Sequence, residues 1–147
     1  MSLQNLLKIR QLDEHQTNAA QLGKLLEAAE RGIADAQEES ISLETRFDAA
    51  YRSIMQLSMA SLWANGFRPS KSAPGHHMTM IQSLCHSVAL NNDRMLVLDT
   101  FRVKRHGLNY SGEDVDEASV EACIDAAGDL LRHVKTWLVE NRPELIA

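Results

Sequence analysis

The chain has 147 residues, enough for one domain with one core and too few for two. Fifteen Lys and Arg against twenty Asp and Glu leave a formal charge of −5. That excludes a protein whose whole surface grips nucleic acid, while leaving room for a local basic cleft. The 44% hydrophobic and 24% charged content is that of a globular domain, and no apolar run reaches the roughly 18–20 residues of a membrane-spanning helix.

Seven Gly and three Pro among many Ala, Leu, Glu, Gln and Met favour helix, and period-two runs of β-branched residues are absent, so strands are not expected. The periodicity predicts six helical segments. Ser2 to Leu12 carries Leu3, Leu6, Leu7 and Ile9. Asn18 to Gln37 aligns Leu22, Leu25, Leu26, Ala29 and Ile33 on one stripe, the mark of a helix facing a core. Leu43 to Ala64 is apolar over more than one face, with Phe47, Ala50, Tyr51, Ile54 and Leu57 beside Met55, Met59 and Leu62, which places it at the centre of a bundle or in an interface. Asn65-Gly66 ends it, and Phe67 to Gly75 reads as a loop.

His77 to Leu90 forms a short fourth helix, with Asn91-Asn92-Asp93 as the break and Asp93 as N-cap for a fifth from Arg94 to His106, closed by Gly107. Ser111-Gly112-Glu113 is a turn, and Asp114 with Glu117 three residues later resembles a capping box. The last helix, Val115 to Asn141, spaces Val120, Ile124, Ala127, Leu131, Val134 and Leu138 by fours and threes until Pro143 stops it. The expected architecture is all-α: one domain, 1–147, an antiparallel helical bundle of five to six helices.

The opening MSLQNLLKIRQLDEH has neither the cationic end nor the cleavage site of a secretory signal. Cys85 and Cys123 lie in apolar periodic stretches, where reduced, buried thiols are expected, so a cytoplasmic location follows.

The chemically unusual stretch is Phe101-Arg102-Val103-Lys104-Arg105-His106-Gly107-Leu108-Asn109-Tyr110, a basic cluster in an otherwise acidic chain. Two readings stand side by side. Basic side chains in a last helical turn favour the negative end of the helix dipole, with Gly107 as cap. Alternatively, Arg105 falls on the inward stripe of Leu98, Phe101 and Leu108, where a guanidinium must meet a carboxylate, carbonyls or an anionic ligand. Arg102 lies one turn back on nearly the same side.

Arg46-Phe47-Asp48-Ala49-Ala50-Tyr51, Gly66-Phe67-Arg68-Pro69, Pro74-Gly75-His76-His77 and Arg105-His106-Gly107-Leu108-Asn109-Tyr110, in this order and spacing, resemble the HEPN domains, small all-α bundles of nucleotide- and RNA-associated proteins. The resemblance spans 43–138, with the helices at 2–12 and 18–37 compatible with it. It is closest to the bacterial branch found alone or beside small nucleotidyltransferases in toxin–antitoxin and defence contexts. Catalytic members of that family are metal-independent ribonucleases carrying an Arg, a polar neighbour and then a His, with two copies meeting in one cleft of a dimer. Here Arg105 matches the Arg and His106 its neighbour, but Tyr110 stands where the His would be.

The departure matters chemically. A His near neutral pKa can take and return a proton, typically worth about 10²–10⁴ in rate, whereas tyrosine, with an ordinary pKa of about 10, is a poor base at neutral pH. His106 could substitute only if its imidazole reached the same cleft, and it points about 100° from Arg105 on the helix. The resemblance therefore implies a catalytically degenerate module that binds a nucleotide or RNA. Arg105 would be the main anion contact, Arg102 and Lys104 would add field, and Tyr110 would donate a hydroxyl. Homodimerisation and a nucleotidyltransferase-type partner are also implied. A ribonuclease toxin acting through Arg105, His106 and Tyr110 is the rival, and a plain helical dimer serving a protein partner is the third reading.

Asp48, beside Phe47 and Tyr51, is expected to pair with Arg102 or Arg105 across the bundle, and His77 to anchor a loop through backbone carbonyls. No cofactor is implied. His76-His77 and Cys85-His86 are bare dipeptides without the spacing of a metal site, so no metal is expected. Met55, Met59, Met78 and Met80 read as gap-filling core or interface residues. Glu30, Asp35, Glu38 and Glu39 read as a solvated face, and Trp63 and Trp137 are too few for a stacking platform.

Overall fold

The computed structural model of the chain describes residues 2–110 and 114–146, for 109 and 110 the backbone only. It is a helical bundle with one small hairpin. The elements are α1 (Leu3–Lys8), β1 (Leu12–Glu14), α2 (Ala19–Ala36), α3 (Leu43–Ala64), β2 (Phe67–Pro69), α4 (His76–Gln82), α5 (Leu84–Ser87), α6 (Asn92–Tyr110) and α7 (Glu117–Asn141), closed by a 3₁₀ turn at Pro143–Leu145.

Helix α3 is the hub. It packs against α2, α4, α5, α6 and α7, and Phe47, Ala50, Ile54, Leu57, Leu62 and Ala64 are wholly buried. This accounts for its apolar character on more than one face. Its boundaries follow from local chemistry. The Ser42 hydroxyl accepts from Thr45 N at 3.2 Å, and Asn65 closes the C-terminus by donating from Nδ2 to the carbonyls of Ser61 and Ser87, both at 2.8 Å. Gly66 follows with φ 88°, a left-handed turn that suits glycine.

The α2–α3 seam is built from small residues. The Ser53 hydroxyl donates to the Ala29 carbonyl at 2.7 Å, and a Cβ at Gly32 would come well inside van der Waals contact with Ser53 Oγ. Arg46, only 4% exposed, caps α2 by donating from Nε to the Ala36 carbonyl at 2.7 Å and reaches Glu121 of α7 at 3.4 Å.

Several expected boundaries are corrected. The Ser2–Leu12 helix stops at Lys8: Arg10, at φ 63°, lets Arg10 N bond Leu7 O and Gln11 N bond Leu6 O, the Schellman arrangement that ends a helix. The next three residues then form a strand the composition did not announce, antiparallel to β2 with Leu12 opposite Pro69 and Asp13 opposite Arg68. The His77–Leu90 segment is two helices, α4 and α5. Asn91, not Asp93, caps α6 by accepting from Arg94 N at 2.8 Å. Asp116, not Asp114, caps α7 by accepting from Ser119 N at 2.8 Å. Gly107 does not end α6, which runs on to Tyr110. The turn expected at Ser111-Gly112-Glu113 lies outside the described residues.

No helix among the described residues is long and apolar enough to cross a membrane. Cys85 and Cys123 are free thiols, and burial pushes the Cys123 thiol up to about 12, so it stays protonated and inert.

Candidate functional site

Because α6 continues beyond Gly107, the basic cluster sits inside the helix and its last turn holds no Lys, Arg or His. The dipole-capping account therefore loses its ground, since that effect falls off within one turn of the helix end. What fixes Arg105 is tertiary. Its Nε donates to Asp48 Oδ1 of α3 at 3.0 Å, and its guanidinium carbon lies 5.3 Å from the centroid of the Tyr51 ring, within cation–π range. The side chain is one-third exposed, held at the rim of the bundle. The bond to Asp48 uses Nε, and neither Nη group donates to a described side chain or carbonyl.

Arg105 lines a cleft of about 290 Å³ with Tyr51, Gly75, His77, Met78, Arg102 and His106. Three elements build it. α3 supplies Tyr51 from its buried face, α6 supplies the three basic groups, and the turn into α4 supplies Gly75, at φ 74°, followed by His77 and Met78 of α4. The residues expected to form a site are thus partly brought together. Arg102, Arg105, His77 and His106 share one wall system. Lys104 does not line the cleft, and its charge acts instead on Asp116 at the start of α7. The Tyr110 side chain lies outside the described residues.

Electrostatics moderate the picture of a bare cationic patch. Arg102 is bonded to Asp99 one turn earlier, Nε to Oδ1 at 2.7 Å and Nη2 to Oδ2 at 3.2 Å, and that bond raises its already high pKa further. Each guanidinium therefore has one carboxylate behind it. Arg102 and Arg105 line the cleft, whereas Asp48 and Asp99 do not.

His77 corrects one expectation. Its Nδ1 is 2.9 Å from the Tyr51 hydroxyl, a side-chain partner and not a backbone carbonyl. Burial, together with the charges of Arg105, His76 and Arg102, lowers the His77 pKa below the usual imidazole value, so the ring is neutral at pH 7. Burial likewise pushes the Tyr51 phenol up to about 12, against the pull of Arg105 and Arg102. Tyr51 thus stays a neutral hydroxyl. Two cations, a neutral imidazole and a phenol can bind an oxyanion and offer one proton acceptor.

In the sequence Tyr51 reads as core, because its helical spacing matches Phe47 and Ile54, and Asp99 does not stand out. The i,i+3 relation of Asp99 to Arg102 was the signal available for the second. Among the described residues no group of three His, Cys, Asp or Glu is placed to hold a metal ion. Compared with protein-family models, curated proteins and solved structures, the chain matches none of them.

Proposed function

We propose that the protein is a HEPN-like helical module that binds a phosphate-bearing ligand, a nucleotide or an RNA segment, in the cleft between α3, α4 and α6. The observation that carries this reading is Arg105. Its Nε is held by Asp48 and its guanidinium carbon lies near the Tyr51 ring, while neither Nη group is taken up by a described residue, and a guanidinium's paired donors match a phosphate. Pre-fixing the side chain lowers the ordering cost of binding.

The module works as a homodimer in this reading. Leu96 and Val103, seven residues apart on one side of α6, are 50% and 57% exposed and offer a second copy an apolar contact on the helix that bears the site. A toxin–antitoxin or defence setting and a nucleotidyltransferase-type partner belong to the same proposal and rest on the motif resemblance alone.

Replacement of the motif His by Tyr110 favours binding over catalysis. One observation supports the rival ribonuclease reading: His106 lines the cleft, despite its offset from Arg105 along the helix. With neutral His77 on the facing wall, the cleft holds two imidazoles around two guanidiniums. His77 would accept the proton of an attacking 2′-hydroxyl and His106 would be the donor to the leaving oxygen.

Binding of a short fluorescent RNA by wild-type protein, Arg105→Ala and Lys24→Ala tests the proposal, with EDTA present and the RNA re-examined for breaks. Loss of affinity of about tenfold or more is expected for Arg105→Ala, with Lys24→Ala unchanged and the RNA intact. Equal losses would reject the cleft as the site. Cleavage abolished by Arg105→Ala would establish the ribonuclease instead.

A further inference from the structure

On the other side of His77 lies a second, larger cavity of about 500 Å³, within the range of small-molecule sites. Its walls come from α2, α3, β2 and α4, and its apolar floor is Leu25, Met55, Met59, Trp63 and Met80. Methionines dominate that floor, and unbranched thioether chains adapt to flexible aliphatic guests.

The polar side of the cavity is what asks for a ligand. Among the described residues, five buried side-chain polar atoms lack a hydrogen-bond partner: His15 Nε2, Gln56 Oε1, Arg68 Nε, His76 Nε2 and Ser87 Oγ. Four of the five belong to residues lining this one cavity. Buried polar groups in native proteins are nearly always paired with protein, water or ligand, so four unpaired ones among the lining residues of one cavity mark it as the place where polar pairing is incomplete. Arg68 is the most telling. The hairpin register puts Asp13 opposite it, yet no ion pair forms between them, and its Nε stays unsatisfied. Arg52 and Lys71 add two more cations to the lining, and neither is ion-paired to a described residue.

We infer that this cavity binds a small amphipathic anion: an aliphatic chain on the methionine floor, with a carboxylate or phosphate head held by Arg68 and flanked by Arg52 and Lys71. The head oxygens would accept from the Arg68 guanidinium, and small side-chain turns would bring His15, His76 and Gln56, whose orphaned atoms are closed to water, toward the head. This site is separate from the Arg105 cleft, sharing with it only the His77 partition, and does not depend on the function proposed for that cleft.

Trp63 reports on the cavity directly, lying 4.8 Å from the His15 ring centroid to centroid. In a Trp137→Phe background its emission can be followed during titration with decanoate, decyl phosphate, decanol and inorganic phosphate. A saturable shift is expected with decanoate or decyl phosphate, the tighter of the two naming the head group. Decanol should bind about tenfold or more weakly, and inorganic phosphate should give no shift. Arg68→Met should weaken the anion about tenfold and leave decanol unchanged, and Arg105→Ala should change neither. If Arg68→Met does not fold by circular dichroism, exposed Lys71→Met takes its place, with a smaller loss expected for the anion only. No saturable response to either anion, equal affinity for decanol, or anion binding that persists undiminished in the folded cation variant would overturn the inference.

Discussion

At the residue scale, a guanidinium controls its neighbours as much as it awaits a ligand. Arg105 contributes to holding His77 neutral, second only to burial among the causes. Arg105→Gln should therefore raise the His77 pKa toward its ordinary value, read from the ring proton shifts in an NMR pH titration. An unchanged value would mean that burial alone sets it. The sign for stability follows from proton counts. A His whose folded pKa is lowered binds fewer protons than the unfolded chain between the two values. The contribution of His77 is thus complete above the ordinary imidazole pKa of about 6.5 and lost as pH falls through the lowered folded value. Chemical denaturation across that window should show wild-type stability declining toward acid more steeply than in His77→Gln.

At the scale of elements, the same residue types decide opposite outcomes according to what stands across from them. Gly32 is mid-helix, where Ala would ordinarily gain about 1 kcal/mol in helix propensity. Here the added Cβ meets Ser53 Oγ on α3, so overpacking of about 1–3 kcal/mol should outweigh the gain. Gly32→Ala should lower the melting temperature, and Gly32→Ala combined with Ser53→Ala should recover part of the loss. A more stable single variant would show that the α2–α3 seam yields.

The helices α2 and α3 were legible because α2 carries a clear inward stripe from Asn18 onward and α3 a long apolar run ended by Asn65-Gly66. The hairpin was not legible, because Leu12–Glu14 gains strand geometry only from Phe67–Pro69, distant in sequence, and nothing local distinguishes it from a continuing helix. Gly107 misled for a related reason. A glycine after basic residues looks like a helix end, but the tertiary hold on Arg105 and the burial of Gly107 itself keep the helix intact past it.

At the scale of the whole molecule, Asp48 and Arg105, 57 residues apart, form the expected ion pair, since an inward cation on one helix called for an anion on another. Tyr51 and His77 meeting across the same cleft was beyond reach, because two side chains each sensible as core or loop reveal a shared site only when α3 and α4 are docked. Leu96 and Val103, exposed on one side of α6, suit a contact with a second copy. Sedimentation should show a dimer, and Val103→Glu, on a side chain 57% exposed, should give monomers with an unchanged circular dichroism spectrum. A monomeric wild type, or a dimer indifferent to Val103→Glu, would remove α6 as the contact.

In the proposed function the Arg105 cleft receives a phosphate. The most direct measurement is an NMR titration of the protein with a short RNA oligonucleotide, following the Arg105 Nε–H and the ring signals of His77 and His106. Saturable shifts concentrated on these three groups are expected, abolished by Arg105→Ala. Saturable shifts confined to other surfaces, with these three signals unmoved, would contradict the proposed function.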